Sequence, residues 1–399
     1  MNYLRLFFGT LCFGAIVFCQ AQNPLPALLQ KGDTRLRAIM KNEAAHELQI
    51  LYTQINRNKA GKPRFKTYRY GLSDQHYFYP ASTVKLPVVL LTLEKIKSLQ
   101  QLGIPISIET PFVVANPATK KSVVAHDSTH PKNQLTLAHQ IKKLFLVSDN
   151  QAYNFLFAFV GQEQMNRSLS KKGFKDITLQ HTFSGTHSFP NQAAFYFLED
   201  KDTLYTHHIK PPKPDAPKRK LKGIKKGKGF MEQDKLVSAP MDFRFKNRAA
   251  LKDLDQLVKT LIFPTYFPLR KRFDLAPAHL DFVRYWMSRN TLEVAVPDYS
   301  NDPHYWDSYV KFFLYGDQKG SMDSAVRIFN KVGLAYGTLT DVAYIVNEKE
   351  GVEFFLAATL LVNQNEIFND DTYEYDALGI PFLAALGKVV YDLERNRKD

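Results

Sequence analysis

Cysteine is almost missing from this sequence. Only Cys12 and Cys19 occur, both within the first 21 residues. Beyond that point the chain offers no disulfide, no thiol nucleophile and no cysteine-ligated metal. Long hydrophobic runs are also missing. Leu6 to Phe18 is apolar but too short to span a bilayer comfortably, and no later stretch is longer. Histidines at paired ligand spacing on a helix are absent too. His126, His130, His181, His187, His207 and His208 read as surface residues, and no metal or organic cofactor is expected. No internal repeat is visible.

Acidic residues are outnumbered, 39 against 53 Lys and Arg, for a net charge of +14. The excess is uneven. Lys210 to Lys235 carries ten Lys/Arg against three Asp/Glu, within a basic insertion at about 200–245. The Lys/Pro/Gly-rich stretch 210–230 has no apolar periodicity and reads as an exposed, mobile segment. It could meet an anionic envelope surface. Nucleic acid is not an expected partner, because the chain begins as an exported protein would.

That beginning has a short positive start through Arg5, the apolar run, and small residues up to Ala21. This order is that of a secretory signal over 1–21, with a single domain over 22–399. Export to a bacterial periplasm or beyond follows, as does a monomer acting on small molecules. Lipid attachment at Cys19 is the weaker alternative, because Phe18 is bulky where such a signal resembles one needing a small residue.

Within 22–399, Leu25 to Asn42 has helical spacing. Glu47 to Ile55 and Phe65 to Leu72 read as a strand pair around the breakers of 56–63. Leu86 to Leu93 is apolar all round, as a helix in the middle of the protein would be. Pro87 suggests an irregular first turn. Ala138 to Val160 reads as two helical pieces around 148–150, followed by a helix from Met165 that ends near Gly173. Asp253 to Leu261 and Asp281 to Ser288 read as helices, and Asn330 to Tyr336, Asp341 to Asn347 and Val352 to Val362 as strands. Ile380 to Leu393 closes the chain as a helix. The fold class is α/β (α+β): one antiparallel sheet flanked by N- and C-terminal helices, plus a helical lobe.

Three short motifs carry chemistry. Ser82-Thr83-Val84-Lys85 puts a hydroxyl and an amine three residues apart, on one face of a helix. Serine becomes a nucleophile once a base takes its proton, and lysine serves as that base when burial lowers its pKa. Ser148-Asp149-Asn150 follows, and Lys331-Val332-Gly333 heads a strand. Alone, each is weak: a chance helix match, a helix cap and a strand end. Together and in this order they match S-x-x-K, S-D-N and a variant of K-T-G.

From about residue 25 onward the chain resembles the serine β-lactamase and penicillin-binding superfamily, most of all its class A β-lactamase-like serine hydrolases. The likeness is strong around 78–95, 144–156 and 328–362 and weak over 175–325. The resemblance implies a β-lactamase/transpeptidase-like fold and an acyl-enzyme on Ser82. Lys85 would be base or proton relay. Ser148, helped by Lys331, would protonate the leaving nitrogen. Asn150 would hold a substrate amide and Lys85. Val332, Gly333 and Leu334 would line the substrate strand, and the N–H groups of Ser82 and Leu334 would form the oxyanion hole. Substrates would be β-lactams, D-Ala-containing cell-wall peptides or simple esters. Two departures stand out. Val332 replaces the hydroxyl residue of K-T-G, which puts carboxylate recognition in doubt. The loop glutamate that such enzymes use to activate the deacylating water has no match in 176–189, where His181, Ser184 and His187 are not carboxylates; Glu163, Glu199 and Glu232 fall outside. A penicillin-binding D,D-peptidase fits that gap. A non-catalytic envelope-binding module is the third reading, and the intact Ser82/Lys85 pair argues against it. Tyr336 and Tyr344 would line the cleft or fill the core.

Overall fold

A computed structural model describes residues 22–119, 121–183, 189, 193–217 and 220–397. The segment expected as a signal, with Cys12 and Cys19, lies outside the described residues, as do Ser184 and His187.

The chain opens with α1 (Leu25–Lys31) and α2 (Thr34–Met40), where a single helix was expected. Gly32 and Asp33 divide them. The Asp33 carboxylate accepts from the N–H groups of Arg35 and Leu36 and so caps α2. Strands β1 (Gln49–Arg57) and β2 (Pro63–Tyr70) follow as the expected hairpin. Near the other end lie β11 (Arg327–Ala335), β12 (Thr338–Asn347) and β13 (Val352–Leu361). All five pair antiparallel in the order β11-β12-β13-β1-β2.

Both faces of this sheet are covered, so its central strands read as near-continuous apolar runs. The period of two sorts their residues. Ile50, Tyr52, Ala343, Ile345, Phe354 and Leu356 pack with α1, α2 and the last helix, α9 (Ile380–Arg395). Leu51, Val342, Tyr344, Phe355 and Ala357 face the helical lobe. Tyr344 is therefore core.

At the centre of that lobe is α3 (Lys85–Gln101), buried all round as its composition requires. Pro87 causes no break, because its missing N–H falls in the first turn, where no donor is needed. Around α3 lie α4 (Leu137–Leu146), α5 (Asn150–Val160), α6 (Gln162–Lys172), α7 (Leu251–Ile262) and α8 (Pro277–Ser288).

The region from 174 to 245 departs from the loop reading. A second sheet joins β3 (Phe112–Ala115) and β4 (Ser122–Val124) to the hairpin β5 (Ala194–Glu199) and β6 (Asp202–His208), in the order β4-β3-β5-β6. Phe195 and Phe197 alternate inward against Phe112, Phe155 and Phe159. The basic insertion also has structure. Its short strands β7 (Lys225–Lys226), β8 (Gly229–Glu232), β9 (Lys235–Val237) and β10 (Met241–Asp242) pair among themselves, and β8 pairs with β14 (Ile367–Phe368). One residue does most of the anchoring: Phe243 is 1% exposed and packs on Tyr77, Tyr79, Tyr336 and Phe368. Single apolar anchors among lysines leave no periodicity to read.

Candidate active site

Four segments meet where α3 begins. The first is Ala81–Val84, one 3₁₀ turn that runs straight into α3. Side chains three apart fall on one side of such a turn, so Ser82 and Lys85 share a face. Ala81 holds φ of +45°, a conformation that costs a non-glycine residue about 1–3 kcal/mol. Thr83 steadies the turn by donating its hydroxyl to the Pro80 carbonyl at 2.6 Å.

The second segment is the α4–α5 junction. Ser148 takes φ of +56°, and the Asp149 carboxylate caps α5 by accepting from the Ala152 N–H at 2.7 Å. Asp149 also pairs with Lys143 at 3.5 Å. With Asp149 so engaged, Ser148 and Asn150 turn towards Lys85. The Lys85 amine donates to Asn150 Oδ1 at 2.7 Å, to Ser148 Oγ at 3.2 Å and to the Ser148 carbonyl.

The third segment is β11, the edge strand of the main sheet, so alternate N–H and C=O groups have no sheet partner. Lys331 points into the site and donates to Ser148 Oγ at 2.9 Å and to its neighbour's carbonyl, Val332 O, at 2.9 Å. Gly333 lies against the nucleophile turn. A Cβ there would sit 2.7 Å from Pro80 O and 2.9 Å from the N atoms of Ser82 and Thr83. Only glycine allows the strand this close. That approach places the edge next to the Ser82 N–H, where the oxyanion pair Ser82/Leu334 was expected. Val332 corrects the expectation of a side chain lining the substrate strand: it is 3% exposed and packs in the outer core with the terminal helices. Leu334, by contrast, is 42% exposed.

The fourth segment, 181–183, was not foreseen as part of the site. Asn154, one turn after Asn150 on α5, accepts from the Phe183 N–H at 2.9 Å and donates to the Phe183 carbonyl at 2.9 Å. The Phe183 ring lies 4.7 Å from that of Tyr153, and the Lys85 amine sits 4.9 Å from its centre. Asn247 holds the approach by accepting from the Gln180 N–H at 2.7 Å. The spacing of four between Asn150 and Asn154 was the available signal; nothing in sequence marks Phe183. His181 is half-buried rather than on the surface, stacked on Tyr79, as is His207, which packs on Phe159. Tyr336 is half-buried beside Tyr79, and Lys246 donates to its hydroxyl at 3.3 Å.

Electrostatics follow from burial. Lys85 is fully buried, which pushes its amine well below the ordinary lysine pKa; cationic Lys331 adds to this and Asp149 opposes it. Burial brings Lys331 down to about 7, against the pull of Asp341 and with the help of Lys311. Asp341, buried behind β11, rises to about 6 through loss of water. The Lys331 amine beside Ser148 can thus exchange protons near neutral pH, while burial favours the neutral form of Lys85. Among the described residues, no carboxylate is hydrogen-bonded to Lys85, Ser148 or Lys331. Glu163, Glu199 and Glu232 are all exposed on other elements, β5 carrying Glu199 at its far end. A cavity of about 1600 Å³ lies elsewhere, lined by residues such as His76, Arg167, His207 and Arg248, and includes none of the motif residues.

A search of curated proteins found no match. Among solved structures, similar chains include a β-lactamase from Xanthomonas campestris (14% identity, 91% of this chain and 97% of that one, TM-score 0.46). A β-lactamase from Desulfarculus baarsii gives 15% identity over 91% and 98%, with TM-score 0.48. A class A β-lactamase from Mycobacterium abscessus gives 12% identity over 89% and 96%, with TM-score 0.48. The family model described as the β-lactamase enzyme family matches residues 33–208, the stretch that holds Ser82, Lys85, Ser148 and Asn150. Over residues 33–208, which carry the first two of the ordered motifs, the chain is similar to the β-lactamase enzyme family.

Proposed function

We propose that this is an exported enzyme in which Ser82 attacks the carbonyl of a β-lactam or a related amide or ester and holds it as an acyl-enzyme. The observation that carries this reading is the Ser148 hydroxyl set between two buried amines, at 3.2 Å from Lys85 and 2.9 Å from Lys331. When neutral, Lys85 keeps two N–H bonds for the Ser148 carbonyl and Asn150 Oδ1, and its lone pair can take the Ser82 proton. The Ser82 oxygen bonds to the carbonyl carbon. Negative charge collects on the carbonyl oxygen beside the Ser82 and Leu334 N–H groups, where preorganised donors are typically worth about 3–4 kcal/mol each. The C–N bond then breaks as Ser148 gives its proton to nitrogen and is reprotonated from the lysine pair. Residues 1–21 would serve export in this reading, with the mature chain starting at Gln22.

A penicillin-binding D,D-peptidase is the second reading. It is favoured by the lack, among the described residues, of a carboxylate bonded to Lys85, Ser148 or Lys331. Incubation with a fluorescent penicillin, followed by intact mass and peptide mapping, tests the common core of both. An adduct on Ser82 that is missing in Ser82→Ala supports it. No adduct with penicillins or with activated esters would overturn it.

A further inference from the structure

We infer that Phe183 is a water-excluding positioning residue that prolongs the acyl-enzyme on Ser82. This rests on the reading of Ser82 as the acylated nucleophile and concerns what happens after acylation. Hydrolysis needs a water oxygen to attack the acyl carbonyl and a base to take its proton. The carbonyl–Ser82 Oγ bond then breaks, Ser82 Oγ regains a proton, and a carboxylic acid leaves. On the Ser148 side of Lys85 three oxygens, Asn150 Oδ1, Ser148 Oγ and the Ser148 carbonyl, all accept from its amine. A hydrolytic water would therefore have to be held on another side of the amine. On that side, among the described residues, the amine faces the Phe183 ring, 4.9 Å from its centre. An aromatic face neither takes a proton from water nor holds water as an amide or carboxylate would. It also favours the charged form of the amine, which is not the form that acts as a base.

The ring is held in place rather than resting there. Asn154, 3% exposed, clamps both backbone groups of Phe183 at 2.9 Å. Tyr153 packs against the ring at 4.7 Å and His181 meets it edge-on at 6.2 Å. Tyr153 donates its hydroxyl to the His181 carbonyl at 3.3 Å. Two buried α5 side chains and the half-buried His181 thus fix one side chain over one amine.

The test compares the full-length protein with Phe183→Glu and Phe183→Ala, following acylation by fluorescent penicillin and loss of the adduct by intact mass. Acylation and deacylation are read separately, because a merely structural defect slows both. The expected result is a persistent wild-type adduct and, in Phe183→Glu, a deacylation rate that rises at least tenfold relative to acylation. There the new carboxylate takes the water proton. Phe183→Ala, which only opens the space, should shift the same ratio by about two- to fivefold. A wild-type adduct that clears in seconds overturns the inference, as do two folded variants whose adducts persist like wild type. Absence of any wild-type adduct would instead strike the assignment of Ser82, and the inference would fall with it.

Discussion

The two sides of the Lys85 amine differ in kind. Towards Ser148 it meets three oxygen acceptors and a second amine within one hydrogen bond of the same hydroxyl. Towards Phe183 it meets an aromatic face. The contrast teaches that burial alone does not define a catalytic lysine. Burial as a whole lowers the amine's pKa, but only the first side gives a proton somewhere to go. Lys95 makes the same point inside the lobe. It is 7% exposed, donates to the Phe159 carbonyl near the end of α5, and lies beside His207, with its pKa brought to about 7 by burial alone.

The sharpest way to break the comparison is to remove the polar side. Lys85→Ala should lower the rate of Ser82 acylation by about 10³–10⁴-fold and Ser148→Ala by about 10²–10³-fold, read by stopped-flow labelling. Thermal unfolding should move little in Ser148→Ala, since only one hydroxyl is lost. Gly333→Ala should come next, with acylation down by about tenfold or more. Its Cβ would meet Pro80 O and the Ser82 N atom below 3 Å, which pushes β11 off the nucleophile turn. An unchanged rate in that variant would mean that the strand edge does not serve the oxyanion.

The pH profile sharpens the same contrast. Acylation needs a neutral Lys85 and so falls as pH drops and that amine gains a proton. It draws on a cationic Lys331 and so falls again as pH rises through about 7. The expected profile is a bell, and Lys331→Met should lose the alkaline limb. The smallest effect concerns Lys95. Its folded pKa of about 7 lies below the ordinary lysine value of 10.5, so the unfolded chain binds the extra proton between these values. Stability must therefore rise with pH across that window, by up to about 1.4 kcal/mol per pH unit from this residue. Denaturant titrations of Lys95→Met between pH 7 and 10 should show a flatter slope than wild type.

Much of this architecture was legible in the chain. The alternation in 49–57 and the apolar runs of 338–361 define strands because both sheet faces are covered, and the three motifs meet as their order suggested. What stayed hidden was hidden for physical reasons. The second sheet depends on Phe195 and Phe197 alternating over only a few residues, next to a lysine-rich stretch that gives no period. Val332 could not be placed on the outer face until the register of β11 against β12 set Lys331 inward. Phe183 is one phenylalanine among 30. Its role comes from a tertiary clamp by Asn154, which no local pattern encodes.

The most direct test of the central claim is a time course of intact mass for the purified protein mixed with a penicillin. The account predicts one covalent adduct, mapped to Ser82, that persists for many minutes because water is not activated beside Lys85. An adduct that vanishes within seconds, or one that forms on another residue, would contradict it.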